Sequence, residues 1–444
     1  MTETARFPDW AELAADAKAA MCVGAAVQAR RLEPRLNAFV EIADAMPPPV
    51  DGPLGGMPYA AKDIFQHAGR RPTGGLAEAI DLGIADESDL LARLDAAGGF
   101  RVGYTALTEL AYEPSGHNAA RGRTNNPWNP DFIAGGSSSG SAAAVASGSV
   151  VVALGSDTAG SLRIPAQACG VTAWKPTYGM VSVRGAMALA PSLDTVGLLA
   201  RSAADLMPAL DVIAEAALPR DLAPVRDAVV LSDLLDGAEP SVQRACRDGI
   251  DAIAQAGVAI DRRAGEAMLG QIDAPVLAML QAEAADTHRG LRESPALASA
   301  LRKRLAKGLA IDDGALAAAR AQRAPLAIAF IDRVLGRADV ALLPVLAIRT
   351  PAVAECDPAS ATFSARTLYE LSRLTRFVNM LGFPAVALPV GFDDRGLPVA
   401  LQIVGRPNAD AALVRLAAAV QRTTDWHGRV PTAVADLVRS EAHA

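Results

Sequence analysis

Lysine is nearly missing from this chain: of its 42 basic residues, 5 are lysine and 37 are arginine. Cysteine is scarce too, with four residues (Cys22, Cys169, Cys246 and Cys356) that share no CxxC pair and no ligand-like spacing. That excludes a disulfide scaffold and reads as reduced intracellular thiols. The five histidines (His67, His117, His288, His427 and His443) have no HExxH or comparable spacing, so no metal is expected. Positive charge is not in excess: a net charge of −7 and a pI of 5.4 leave no broad basic face for nucleic acid. The opening residues MTETARFPDW carry acids and no apolar run, so they do not read as a secretory leader. The stretch from Ile133 to Ser156 is uncharged and long enough to suggest a membrane span, but its glycines and serines suit a bilayer helix poorly. The expectation is a soluble cytoplasmic protein without membrane or nucleic-acid partners.

What the chain does have is material for a core. Of 444 residues, 51% are hydrophobic and 20% charged, a balance that excludes intrinsic disorder. At roughly 150 residues per domain the length allows one to three domains. Residues 10–45 predict helix, because apolar side chains return every three or four positions, and Pro47–Pro49 with the turn 51–56 end it. Met57–Ala61 reads as a short buried strand running into Lys62, residues 88–98 as an amphipathic helix, and Phe100–Tyr104 as the next strand. This alternation continues to about residue 200 and predicts an α/β sheet core. Residues 205–335 predict mostly helix, and strand character returns at 339–344, 385–390 and 399–404. With no linker and no repeat, the reading is one domain over 1–444. It comprises an N-terminal helical segment (1–50), a core (51–204), a variable helical region (205–335) and a last part (336–444) that rejoins the first sheet.

Two segments carry the chemistry: GGSSSGSAAAVA at 135–146 and GSDTAGSLRIP at 155–165. A flexible linker would also be rich in Gly and Ser. Here, however, a helix-forming run, a strand and a second small-residue loop follow at once. Two such loops at adjacent element ends describe a site, since small residues let backbone N–H groups point at a ligand. A phosphate-binding Walker loop needs GK[ST], which is absent. Residues 136–140 match G-x-S-x-G and would make Ser138 the nucleophile of a hydrolase elbow. Against this, the preceding Asp131–Ala134 is a weak strand and no HGGG-type sequence is present.

Lys62 in PYAAKD and the two small-residue blocks together resemble the amidase signature family of serine hydrolases. Ser161 follows Ser137 by 24 residues, and Ser137 follows Lys62 by 75. The resemblance extends through residues 174–179, 192–197, 379–385 and 396–402. It implies an α/β fold with a mixed central sheet flanked on both faces by helices. It also implies a Ser–Ser–Lys triad: Ser161 as nucleophile, Ser137 as bridging serine and Lys62 as base. A serine hydroxyl is a weak nucleophile until a base takes its proton, and lysine is a base only when neutral. Bringing its pKa from about 10.4 to near 7 costs roughly 4–5 kcal/mol, which burial away from carboxylates supplies. Asp63 would defeat this if it faced Lys62, but adjacent strand residues point to opposite faces.

The same resemblance implies a cis Gly136–Ser137 peptide and an oxyanion hole of backbone N–H groups from Thr158, Ala159, Gly160 and Ser161. The family commonly has glycine where Ala159 stands; a methyl group is tolerated there if φ is negative. Asp157 and Arg163 are expected to pin the nucleophile loop, Lys175 to hold a turn, and Cys169 to pack. The implied activity is cofactor-free hydrolysis of a carboxamide through a Ser161 acyl-enzyme, acting on a small-molecule amide, with homodimerisation a family-level expectation. The alternative is the glutaminase (A-type) subunit of a tRNA-dependent amidotransferase; the length, without an obvious docking segment, favours the stand-alone enzyme. The acyl pocket is expected between the middle helices and the loop Glu109–His117, with Tyr112 and His117 at its entrance. Arg121, Arg123, Arg289 and Arg292 are candidates for holding an anionic substrate, although surface solvation is the ordinary role of an arginine.

Overall fold

A computed structural model describes residues 9–44, 52–215 and 223–435. The strands are β1 (Phe39–Ile42), β2 (Pro58–Lys62), β3 (Phe100–Thr105), β4 (Val152–Asp157), β5 (Thr172–Lys175) and β6 (Thr195–Ala200). They continue with β7 (Asp227–Leu231), β8 (Ala259–Arg263), β9 (Val340–Pro344), β10 (Ala385–Phe392) and β11 (Pro398–Gly405). All join one 11-stranded sheet in the order β1-β3-β2-β4-β6-β5-β10-β11-β9-β7-β8. Two parallel runs, β3-β2-β4 and β9-β7-β8, flank an antiparallel centre from β4 to β9. The late strands β9, β10 and β11 thus share a sheet with β2 and β4, as the return of strand character after residue 338 predicts.

Strands β2, β4, β6, β9 and β11 are buried along their whole length, because helices cover both faces. That is why they read as apolar runs rather than as alternating patterns. The two faces differ in residue size. On one lie Ala60, Ala153, Ala173, Ala387 and Ala400, packed with Ala142 and Val145 of the helix Ser139–Ala146 and Ile164 of the helix Arg163–Cys169. On the other lie Tyr59, Leu154, Trp174, Leu388 and Leu401, packed with Leu206, Ile253 and Leu413. The alanine face lets the serine-rich helix approach closely, and this brings its N-terminus to the end of β2.

Two expectations need correction. The helix predicted over 10–45 runs from Ala15 to Leu36; Asn37 then adopts a left-handed conformation (φ 47°) and β1 follows. The break at Pro47–Pro49 lies outside the described residues. Region 205–335 is mostly helical but contributes β7 and β8. The short run of β7 is masked by Ala- and Leu-rich helices around it. The sequence AIDRR of β8 suits a largely exposed edge strand, whose charges discourage further pairing. Among the described residues no helix is long and apolar enough to cross a membrane.

Candidate active site

Lys62 is the last residue of β2, and β4 runs parallel beside it with Ala61 opposite Leu154. Both strands therefore end on the same edge of the sheet, where α/β folds place ligands. The Lys62 side chain is fully buried. Its Nζ lies 2.7 Å from Ser137 Oγ, 2.8 Å from Ser156 Oγ and 3.0 Å from Ser138 Oγ. Among the described residues it forms no ion pair. Burial, outweighing the more distant attraction of Asp157 and Asp194, brings its pKa down to about 7. Asp63 is turned away as expected: its carboxylate accepts from Arg70 Nη1 (2.8 Å) and from the Thr73 amide (3.0 Å).

The hydroxyl of Ser138 donates to the Ser156 carbonyl at 3.2 Å, so its oxygen is an acceptor for Nζ. A neutral amine that donates to Ser138 and Ser156 keeps its lone pair for the Ser137 hydroxyl, which is the orientation a general base needs. Ser138 is fully buried and committed to these partners, which removes the elbow reading of residues 136–140. We expect Ser138→Ala to lower kcat by about 10-fold, the worth of one orienting hydrogen bond, and steady-state kinetics will measure it. Complete loss in that variant, with Ser161→Ala still active, would restore the elbow.

The peptide Gly136–Ser137 is cis. The Ser138 amide donates to the Ser161 carbonyl at 3.3 Å, fixing the nucleophile loop against the segment that carries Ser137. Ser161 Oγ itself has no hydrogen-bond partner among the described residues, and the residue is 9% exposed. The link from Lys62 to Ser137 is therefore closed, whereas the hydroxyl of Ser161 stands free at the cleft.

Asp157 ends β4 and organises the loop that follows. Its Oδ1 accepts from the Gly160 amide (2.8 Å) and its Oδ2 from the Leu162 amide (3.2 Å). Arg163 reaches it twice, through Nε (3.0 Å) and Nη2 (2.9 Å). The remaining Arg163 donors go to the Thr375 carbonyl, Gln402 Oε1 and Asn379 Oδ1, so all five guanidinium N–H groups are satisfied. Burial alone would raise the Asp157 pKa, but Arg163, Lys175 and Asn379 outweigh it and hold it at about 2. We expect Asp157→Asn to cost about 3–5 kcal/mol by leaving a buried guanidinium without its counter-charge, read as a lower Tm in thermal unfolding.

The oxyanion-hole expectation changes in one respect. The Gly160 N–H is not available, because the loop folds it back onto Asp157. The amides of Ala159 and Ser161 have no acceptor among the described residues. Thr158 anchors the loop by donating its hydroxyl to Asp194 Oδ1 at 2.6 Å. Ala159 keeps a negative φ, so its methyl group is accommodated. Gly160 has φ 127°, and a Cβ there would fall 2.2 Å from Thr375 Oγ1; only glycine fits. Sequence reading missed Ser156, Asp194, Thr375, Asn379 and Gln402 as parts of the site. Asn379 lay within a segment of family resemblance, but nothing local tied it to Asp157, 222 residues away.

Ser161 opens on a cleft of ≈ 60 Å³ between Tyr112, Pro114, Ile164, Leu280 and Ser372. Tyr112 is at the entrance as expected, whereas His117 lines an adjoining cavity with Glu109 and Glu113. Arg121, Arg123, Arg289 and Arg292 do not reach the cleft; Arg121 and Arg123 bond backbone carbonyls near the surface, and the other two pair with neighbouring acids. Lys175 is buried with Nζ on the Pro176 carbonyl at 2.6 Å, which fits its expected role at the turn. Cys169 is buried in the core, where desolvation pushes its thiol pKa up. Among the described residues no group of three or more His, Cys, Asp or Glu converges as a metal site.

A large mixed sheet carrying a buried lysine against two small-residue loops defines the amidase class of folds. The family model for Amidase matches residues 39–414, and the chain belongs to this amidase signature family. The A-type subunit of the glutamyl-tRNA(Gln) amidotransferase from Roseiflexus castenholzii is 32% identical over 90% of this chain and 91% of its own length. The crystal structure of an amidase superposes with a TM-score of 0.82 at 28% identity, covering 91% of this chain and 96% of the other. The corresponding A-type subunit from Thermotoga maritima superposes with a TM-score of 0.80 at 25% identity, covering 96% and 99%.

These relatives correct the expectation of a small-molecule amide as the partner with nucleic acid excluded. Their name places them as one component of an enzyme for glutamyl-tRNA(Gln). A net charge of −7 does not exclude such a setting, because a whole-chain sum says nothing about local patches or about other subunits.

Proposed function

We propose that this chain cleaves a carboxamide through an acyl-enzyme on Ser161. The observation that supports it most is the buried Lys62 amine, 2.7 Å from Ser137 Oγ and without an ion-pair partner among the described residues. As Ser161 Oγ attacks the amide carbon, its proton passes to Ser137, and Ser137 gives its own to Lys62. The negative charge that develops on the carbonyl oxygen is met by the free amides of the nucleophile loop, each such donor being worth about 10²–10³ in rate. The ammonium then returns a proton through Ser137 to the leaving nitrogen, and ammonia or an amine departs. Water attacks the resulting ester along the same relay and releases the carboxylic acid.

A second reading concerns the setting of this chemistry: glutamine as the amide, with the ammonia passed on in a tRNA-dependent amidotransferase. It is favoured over the stand-alone enzyme by the near full-length match to subunits of that name. The test incubates the chain with glutamine and with simple amides, alone and together with amidotransferase partner subunits and glutamyl-tRNA. Hydroxylamine traps the acyl group, and mass spectrometry locates the adduct. Acylation of the peptide containing Ser161 is the expected result, and acylation elsewhere, or none under any condition, overturns the proposal. Glutamine turnover that requires the partners selects the second reading.

A further inference from the structure

The hydrogen bonds that hold the nucleophile loop continue outwards, away from the triad. Thr158 donates its hydroxyl to Asp194 Oδ1 at 2.6 Å, and Thr375 donates its own to the Ala159 carbonyl at 2.6 Å. These two bonds fix the chain on either side of the Ala159 N–H and so set where it points. Asp194 is held in turn by the segment before it. Its Oδ2 accepts from the amides of Leu189 (2.8 Å) and Ala190 (3.1 Å), while the amides of Leu193 and Asp194 donate back to the Ala190 carbonyl. Ser192, at the apex of that turn, is gripped by the helical region 205–335. Its amide donates to Glu283 Oε2 at 2.9 Å, its hydroxyl donates to Glu283 Oε1 at 2.6 Å, and its carbonyl accepts from Arg323 Nη1 at 2.5 Å. Glu283 lies on the helix Glu266–Thr287 and is 3% exposed; its Oε1 also accepts from Arg320 Nε at 3.0 Å. Both oxygens of this buried carboxylate thus serve a turn 91 residues upstream. One turn earlier on the same helix, Leu280 lines the cleft beside Ser161.

We propose that Glu283 is a positioning residue for the oxyanion hole. Through Ser192 it holds the 189–194 turn, the turn holds Asp194, and Asp194 holds Thr158 and with it the Ala159 amide. The proposal rests on the amide-cleavage reading and adds to it a residue outside the triad and both small-residue loops. Donors of this kind act only when aimed at the oxygen on which charge develops. A misplacement of about 1 Å costs about 10²-fold in rate. The clamp therefore serves turnover more than substrate affinity, because the charge that it prepares for exists only in the transition state. The helix that forms one wall of the cleft is also the element that steadies the loop beneath it. Sequence reading missed Glu283, since nothing local ties a helix of the variable region to a turn of the core.

The test uses Glu283→Gln, which keeps the side-chain size but turns an NH₂ group towards donors of Ser192 or Arg320. Arg320 is half-exposed, so water solvates its charge and the fold is expected to persist. On the amide turned over fastest, kcat should fall by about 10- to 100-fold while KM stays within about 3-fold. A trifluoromethyl ketone with the same acyl chain places an oxyanion in the hole, and its affinity should fall in the same proportion as kcat/KM. Thr158→Val breaks the other end of the same chain of contacts. The double variant should therefore lose no more than about 3-fold beyond the worse single variant. Hydrogen exchange of the peptide 157–162 should quicken by about 10-fold in Glu283→Gln. A lower Tm with kcat unchanged overturns the proposal, as do losses that multiply in the double variant or exchange that stays the same. Exchange is read on a chain that need not turn over, so failure of the hydrolysis reading leaves that result interpretable.

Discussion

Ser161→Ala is expected to lower amide turnover by about 10⁴- to 10⁶-fold, the range seen when a hydrolase loses its nucleophile while its donors and binding surface persist. The hydroxyl removed bonds no other side chain in the described structure and borders the cleft. Its loss therefore leaves Asp157, Arg163 and Asn379 hydrogen-bonded as before. Thermal unfolding should be nearly unchanged, and hydroxylamine should trap no acyl group. Retained burst kinetics in the alanine variant would move the nucleophile elsewhere, Ser138 being the first place to look.

Lys62→Arg is the second large effect, with a loss of about 10⁴-fold or more. Arginine keeps a cation beside Ser137 but does not deprotonate at accessible pH, so the variant separates basicity from charge. In the unaltered chain kcat/KM should rise with pH as the Lys62 ammonium gives up its proton, reaching half its maximum near pH 7. A flat profile between pH 5 and 9 with full activity would rule out Lys62 as the base. The same shift has a stability sign. The pKa in the folded chain, about 7, lies below the ordinary value of 10.5, so between these limits the unfolded chain holds more protons. Stability therefore rises as pH goes from about 7 towards 10.5. Lys175, also lowered to about 7 by burial, adds in the same direction. Replacing Lys62 by methionine should reduce that rise in Tm scans to the share contributed by Lys175, whatever it does to absolute stability.

Much of the architecture was legible because it is written locally. The buried strands β2, β3, β4, β9, β10 and β11 each begin or end within a few residues of an apolar run in the sequence. Where local pattern is weak, the reading failed. β8 pairs only at an edge and presents charged side chains, and β1 continues the apolar periodicity of the helix before it. The site divides in the same way. Lys62, Ser137 and Ser161 stand in dense small-residue blocks whose spacing carries information. By contrast, Asn379, Thr375 and Gln402 meet Asp157, Ala159 and Arg163 across more than 200 residues of chain.

The sequence by itself determined that an uncharged, lysine-bearing strand end and two serine–glycine loops belong together in an α/β core. Small-residue patterning marks the two loops as a site, and their grouping with Lys62 is what the resemblance to the amidase signature family implies. Only the tertiary structure decided which amide of the nucleophile loop is already taken and which hydroxyls orient the amine. Those outcomes depend on side chains distant in sequence packing to within hydrogen-bonding distance. The sheet order sets that proximity, and no single segment encodes it.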